Sequence, residues 1–252
     1  MKKIVTLLLL SPLITNAQLG ILGGKNIIKT NLTGDAIGNY NITYERSILK
    51  KMSFSLGVRY MPKGAVPFKD ELAKLINDPN VKVNDFQLGN FAITPELRLY
   101  LSAGKMKGFY IAPYGRYASF DMTVPIAYSY TETGTGLKKT AEVLFDGKIT
   151  SMSGGVLLGT QFQIAKKLVL DIWIIGGHYG TSSGTVNATN FTPAITTQQQ
   201  ADALQAQLND LKEVGPFKFE GKLAADWKTA TITSTGPWAG VRGLGLSLGF
   251  RF

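Results

Sequence analysis

Residues 244–252 read "LGLSLGFRF". Successive side chains of a strand point to opposite sides. Leu244, Leu246, Leu248, Phe250 and Phe252 therefore share one face, and Gly245, Ser247, Gly249 and Arg251 share the other. Chain ends of soluble domains are mostly polar and frayed. This stretch keeps a large apolar residue at every second position up to Phe252. A strand with an apolar outside and a small, polar inside suits a β-barrel that meets lipid on its outer wall.

The same period of two recurs along the chain. In "MSFSLGVRYM" (52–61), Phe54, Leu56, Val58 and Tyr60 oppose Ser53, Ser55, Gly57 and Arg59. In "FAITPELRLYL" (91–101), Phe91, Ile93, Pro95, Leu97, Leu99 and Leu101 oppose Thr94, Glu96 and Arg98. "GGVLLGTQFQI" (154–164) sets Val156, Leu158, Phe162 and Ile164 against Gly155, Gly159, Gln161 and Gln163. "LVLDIWII" (168–175) is apolar on both faces except at Asp171. Eight such segments are expected, near 25–33, 38–48, 52–61, 90–102, 108–130, 140–164, 168–181 and 238–252. Several reach the roughly 9–11 residues of a tilted membrane-crossing strand.

Connections alternate in length. "ILKK", "SAGKMKG" and "AKK" are short turns carrying Lys50, Lys51, Lys105, Lys107, Lys166 and Lys167. Long loops are expected near 61–89 and 182–237, with a hairpin tip at "TETGTGLKK". Short turns on one side and long loops on the other predict an eight-stranded antiparallel transmembrane β-barrel. The turn lysines would stand at the phosphate level of the membrane.

Two helical stretches interrupt the pattern. "KDELAKLIN" (69–77) ends before Pro79. "TTQQQADALQAQLNDLKE" (196–213) places Ala201, Leu204, Leu208 and Leu211 on one stripe. Its start offers two capping-box pairs, Thr196 with Gln199 or Thr197 with Gln200. Both are read as short helices in the outer loops, their stripes packing on the barrel rim or meeting a partner.

"MKKIVTLLLLSPLITNAQ" opens with Lys2 and Lys3, continues as an apolar run and reaches Ala17. It has the form of a secretory signal peptide over 1–17, cleaved before Gln18, with 18–252 as the barrel domain. The chain has no cysteine, which excludes disulfides, thiolate metal sites and a lipoprotein signal. The net charge of +10 becomes +8 without Lys2 and Lys3. An exported chain with its lysines in turns gives no case for nucleic acid.

Alternation points Glu45, Arg59, Glu96, Arg98, Arg116 and Asp171 inward. Eight strands leave an interior just wide enough for side chains, so these charges should pair and plug it. His178 is the only histidine, which excludes a histidine metal cluster. On the expected register it faces outward with Ile172 and Ile174. Gly180, not a serine, stands two residues on. A lipid-modifying enzyme with a strand-borne histidine would need a nucleophile there. Tyr110, Tyr114, Tyr117, Tyr128, Tyr130, Trp173, Tyr179 and Trp238 read as interface girdles.

The ending resembles the C-terminal signal read by the bacterial outer-membrane insertion machinery, with Phe252 last and Phe250 third-last, and Ser247 where that signal usually has glycine. "NIIKTNLTGDAIGNYNITYERSILKKMSFSLGVRYMPKG" (26–64) is similar to the opening of an uncharacterised family of Gram-negative outer-membrane β-barrel proteins, known only as a domain of unknown function. "ITPELRLYL", "GFYIAPYGRYASF", "GGHYGTSSG" and "GPWAGVRGLGLSLGFRF" resemble its later segments. The resemblance implies the fold and the cell outer membrane, and supplies no activity, cofactor or catalytic residue. The expected role is a scaffold, not an enzyme, presenting loops to another membrane or surface protein amid outer-membrane lipid and lipopolysaccharide. The alternatives are a small pore or ligand conduit and, behind it, a lipid-modifying enzyme.

Overall fold

The computed structural model describes residues 24–65, 85–102, 105–132, 134–189, 191, 194–211, 213–214 and 217–252. The expected signal peptide (1–17) and the expected helix at 69–77 lie outside the described residues. The strands are β1 (Asn26–Asn31), β2 (Tyr40–Leu49), β3 (Met52–Ala65), β4 (Gln87–Tyr100), β5 (Gly108–Thr131), β6 (Lys138–Gln163) and β7 (Leu168–Thr189). After them come β8 (Glu213–Val214), β9 (Phe217–Leu223) and β10 (Thr229–Arg251). Two helices, α1 (Leu32–Asp35) and α2 (Gln198–Asp210), complete the described elements.

All pairings are antiparallel. The order β1-β2-β3-β4-β5-β6-β7-β10 returns to β1, so eight strands form a closed ring. β9 and then β8 add to the far part of β10. Closure runs from Asn31↔Ser247 to Ile27↔Arg251. Beyond it, Asn26 N–H donates to Phe252 O at 3.0 Å and Phe252 N–H donates to Asn26 O at 2.9 Å. Phe252 is thus the last rung of the closure, and the Phe250 side chain faces out of the ring.

The ring inverts its polarity along its height. In the lower part Leu56, Leu97, Ile111, Leu158 and Leu248 are exposed on the outer wall. Glu45, Ser53, Ser55, Arg98, Gln161 and Asp171 are buried inside. In the upper part the same strands reverse. Thr181, Ser183 and Asn187 of β7 and Thr229 of β10 are exposed, while Ile126, Phe145, Val186 and Ile232 form an apolar cluster. α2 covers that cluster with Ala201, Leu204 and Leu208. Its stripe therefore packs on its own sheet. Its capping box is the Thr197–Gln200 pair, the second of the two expected.

β7 and β10 run past their expected limits, to Thr189 and back to Thr229. The extensions "TSSGTVNAT" and "TATITSTG" are threonine-rich with small inward residues, which weakens the apolar signal but suits extended backbone. β1 is shorter than expected. Asn31 accepts from Gly34 N–H at 2.8 Å and caps α1, ending the strand.

Candidate functional site

The lower interior is built around three carboxylates and three cations. Lys29 Nζ donates to Glu45 Oε2 at 2.6 Å, Asp171 Oδ2 at 2.6 Å and Gln161 Oε1 at 2.9 Å. Arg98 donates to Asp171 Oδ2 at 2.6 Å, Glu45 Oε2 at 3.3 Å and, through Nη2, Glu96 Oε2 at 2.8 Å. Arg242 Nη1 reaches Glu96 Oε1 at 3.2 Å. The neutral donors complete the set: Tyr100 OH to Glu45 Oε1 at 2.6 Å, Tyr110 OH to Asp171 Oδ1 at 2.7 Å, and Ser53 to Glu45. All eight strands of the ring contribute a side chain to this cluster. A charge removed from water is tolerated when every lone pair and proton finds a partner, and here the carboxylate oxygens do.

Aromatic rings pack around the cations. The Arg98 guanidinium lies 4.6 Å from the Tyr110 ring centre. Arg242 lies 4.8 Å from Tyr114 and 4.5 Å from Trp173. Tyr110 fits only because Gly159 faces it: a Cβ there would stand 2.3 Å from the phenol oxygen. Tyr110, Tyr114 and Trp173 are thus interior residues rather than members of an outer girdle. Tyr128 belongs to the upper apolar cluster. Tyr117 and Tyr179 do lie on the outer wall.

Of the inward charges read from the alternation, Glu45, Glu96, Arg98 and Asp171 come together. Arg59 and Arg116 stand higher, apart from the cluster. Arg59 Nε donates to Asn90 Oδ1 at 3.0 Å. Arg116 Nε is buried without a hydrogen-bond partner. Lys29 and Arg242 were not singled out by the sequence reading. Lys29 sits in "NIIKTN", where the consecutive Ile27 and Ile28, one buried and one exposed, hide the alternation. Arg242 lies where β10 shifts phase.

That shift also corrects His178. β6 pairs Leu158 with Ile175 but Gly159 with Trp173, so β7 carries one extra residue near Ile174. Such a bulge moves every later side chain to the other face. His178 therefore faces inward, with the Tyr114 hydroxyl 3.2 Å from Nδ1. Gly240 opposite leaves room for its ring, since a Cβ there would lie 2.7 Å from Cε1. Among the described residues, no group of three or more His, Asp or Glu is placed to hold a metal ion.

The described strands form a closed antiparallel ring whose lower part is apolar outside and charged inside. The chain belongs to the family described as protein of unknown function (DUF3575), whose model matches residues 4–204. No curated protein matches the chain.

Proposed function

We propose that the chain is an eight-stranded β-barrel of the bacterial outer membrane whose plugged interior makes it an anchor rather than a channel. It holds the upper lobe of long strands, α2 and β9 outside the bilayer as a rigid platform for another surface protein or lipopolysaccharide. The observation that carries this reading is the inversion of polarity at one height. At that height an outer row of aromatics runs across neighbouring strands, Tyr40 opposite Tyr60 and Tyr60 opposite Phe91. Tyr117 opposite Met152, then Tyr179, continue the row on β5, β6 and β7. Interface aromatics of this kind flank the apolar band of membrane barrels. From Phe91 down to Leu101, about ten residues at ~3.3 Å and a ~40° tilt give ~25 Å, the height of such a band. The lysine-bearing short turns lie at its lower edge.

The interior favours the anchor over the pore. Six charged side chains bridge the lumen from β1, β2, β4, β7 and β10, and their ion pairs would have to break before water could pass. Phe250 and Phe252 fit an assembly signal, one as an outer anchor and the other as the closing rung.

Refolding into phosphatidylcholine vesicles tests the reading. The expected result is a trypsin-resistant, heat-modifiable species that stays with the vesicles in alkaline carbonate. A folded protein that remains in the aqueous phase would overturn it.

A further inference from the structure

We propose that the cavity above the charged cluster is a headgroup site for a phosphate-bearing amphiphile, which enters sideways between α1 and β10. The proposal rests on the membrane reading above.

The first observation is charge. Lys29, Arg98 and Arg242 answer Glu45, Glu96 and Asp171, three against three. Arg59 and Arg116 are left over. Neither has a carboxylate within ion-pair distance among the described residues. Arg251, at the lower rim, is held by Gly24 O and Gln163. Asp35, the acid of α1, is engaged by the Thr30 hydroxyl and Asn41 N–H and does not line the cavity. Two confined cations without a counter-charge are costly, and a bound anion removes the cost. A surplus of two matches a phosphate monoester, and guanidinium forks suit its oxygens.

The second observation is space. A cavity of about 350 Å³ is lined by Arg59, Arg116, Arg242 and His178. Asn41 and Thr94 add neutral polar groups to its wall. It can hold a small headgroup, and the three guanidinium groups on its wall suit a charged one.

The third observation is a break in the wall. β1 ends at Asn31 opposite Ser247, and β9 stops pairing at Thr235. Between them, residues 236–246 of β10 have no strand on that side among the described residues. α1 closes only the lower end, where Leu246 N–H donates to Thr33 Oγ1 at 3.4 Å. The lips of this window are apolar. Val241 is 76% exposed and Leu244 79%, with Ile37 facing them from the α1 side of the cavity. They lie within the outer apolar band, just below the aromatic row. An amphiphile could seat its phosphate on the arginines and leave its chain across Val241 and Leu244 in lipid. Free phosphate would need no such lips.

The test uses the full mature chain in phosphatidylcholine nanodiscs, first checked for trypsin resistance. Oleoyl lysophosphatidic acid, monooleoylglycerol and inorganic phosphate are titrated while tryptophan emission is followed, since Trp173 lines the cavity. The expected result is a saturable change with lysophosphatidic acid alone. The double variant Arg59→Gln, Arg116→Met should weaken it at least tenfold while still inserting, because neither arginine has an ionic partner to lose. A Cβ at Gly243 would meet nothing within 4 Å, so Gly243→Phe should close the window and slow binding at least tenfold with the arginines intact. Equal responses to lysophosphatidic acid and monooleoylglycerol, inorganic phosphate binding as tightly as the amphiphile, or unchanged binding in the double variant would each overturn the proposal. A chain that inserts and ignores lysophosphatidic acid defeats this proposal alone. A chain that never inserts defeats the membrane reading and this proposal together.

Discussion

Asp171 shows how much one residue carries. Its Oδ2 receives Lys29 and Arg98, and its Oδ1 receives Tyr110, all from other strands. Asp171→Ala strands two buried cations and should destabilise the ring by ~3–5 kcal/mol, read as a lower urea midpoint by tryptophan fluorescence in vesicles. Arg116→Met should cost nothing measurable in the same assay, since Arg116 Nε has no partner to lose. A second charge cluster lies above the aromatic row, where Lys63 Nζ stands 3.0 Å from Asp121 and 2.9 Å from Asp146. Hydrogen bonds from Thr123 and then Lys63 hold the Asp146 carboxyl below its usual range. Partial burial opposes, and hydrogen bonds to Asp146 and Asp121 outweigh it, so Lys63 is raised above its usual range. A lowered acid stabilises above its ordinary value of ~4 and loses that as pH falls through the folded value; a raised lysine stabilises below ~10.4 and loses that as pH rises. The bridge therefore acts between those limits. Both partners are substantially in water, so its worth is under ~1 kcal/mol. Lys63→Met should lower the thermal midpoint slightly at pH 7 and leave it unchanged at pH 2.

Elements repeat the inversion seen for the whole ring, and that decides what a charge does on the outer wall. Leu97→Arg on β4 would place a cation inside the apolar band and should cost ~2–4 kcal/mol. Ser183→Arg on β7 keeps the same outward orientation above the aromatic row and should cost almost nothing. Equal penalties in vesicle refolding would mean that the two heights share one solvent. Leu204→Ala on α2 removes a fully buried side chain and should cost the upper lobe ~2–5 kcal/mol. Limited proteolysis should then cut α2 while the ring stays intact. The sequence made the ring strands legible because lipid-type outer faces are strongly apolar and the alternation through Phe91–Leu101 is unbroken. It hid three things for physical reasons. A one-residue bulge at Ile174 leaves no mark in "WIIGG", where both faces are apolar, so His178 changed sides. Lys29 follows two consecutive isoleucines, Ile27 and Ile28, in a six-residue strand. The strand extensions in the upper lobe are threonine-rich outside and carry alanine and single branched residues inside, so their period is faint until α2 supplies the second layer.

At the scale of the molecule two interiors are stacked in one set of strands, an ionic one below and an apolar one above. Each closes the other's end. The charged cluster spans the ring from β1 to β7, and the α2-covered cluster fills the sheet above it. A solute crossing the ring would meet Glu45, Glu96 and Asp171 already bound to Lys29, Arg98 and Arg242. Opening that path means separating ion pairs in a lumen too narrow to hydrate them well. The native protein should therefore show no steady conductance in planar bilayers. Glu96 is the weak point, because it alone ties Arg242 to the cluster. In Glu96→Ala, Arg98 keeps Asp171 and Glu45, whereas Arg242 loses its only carboxylate and is held by Tyr114 and Trp173 alone. Arg242 then joins Arg59 and Arg116 as a third unanswered cation. Any leak that appears should favour anions, measured as a reversal potential shifted toward that of chloride in a salt gradient. A well-defined conductance in the native protein, or a cation-selective leak in the variant, would mean that the charge balance of the interior does not govern passage.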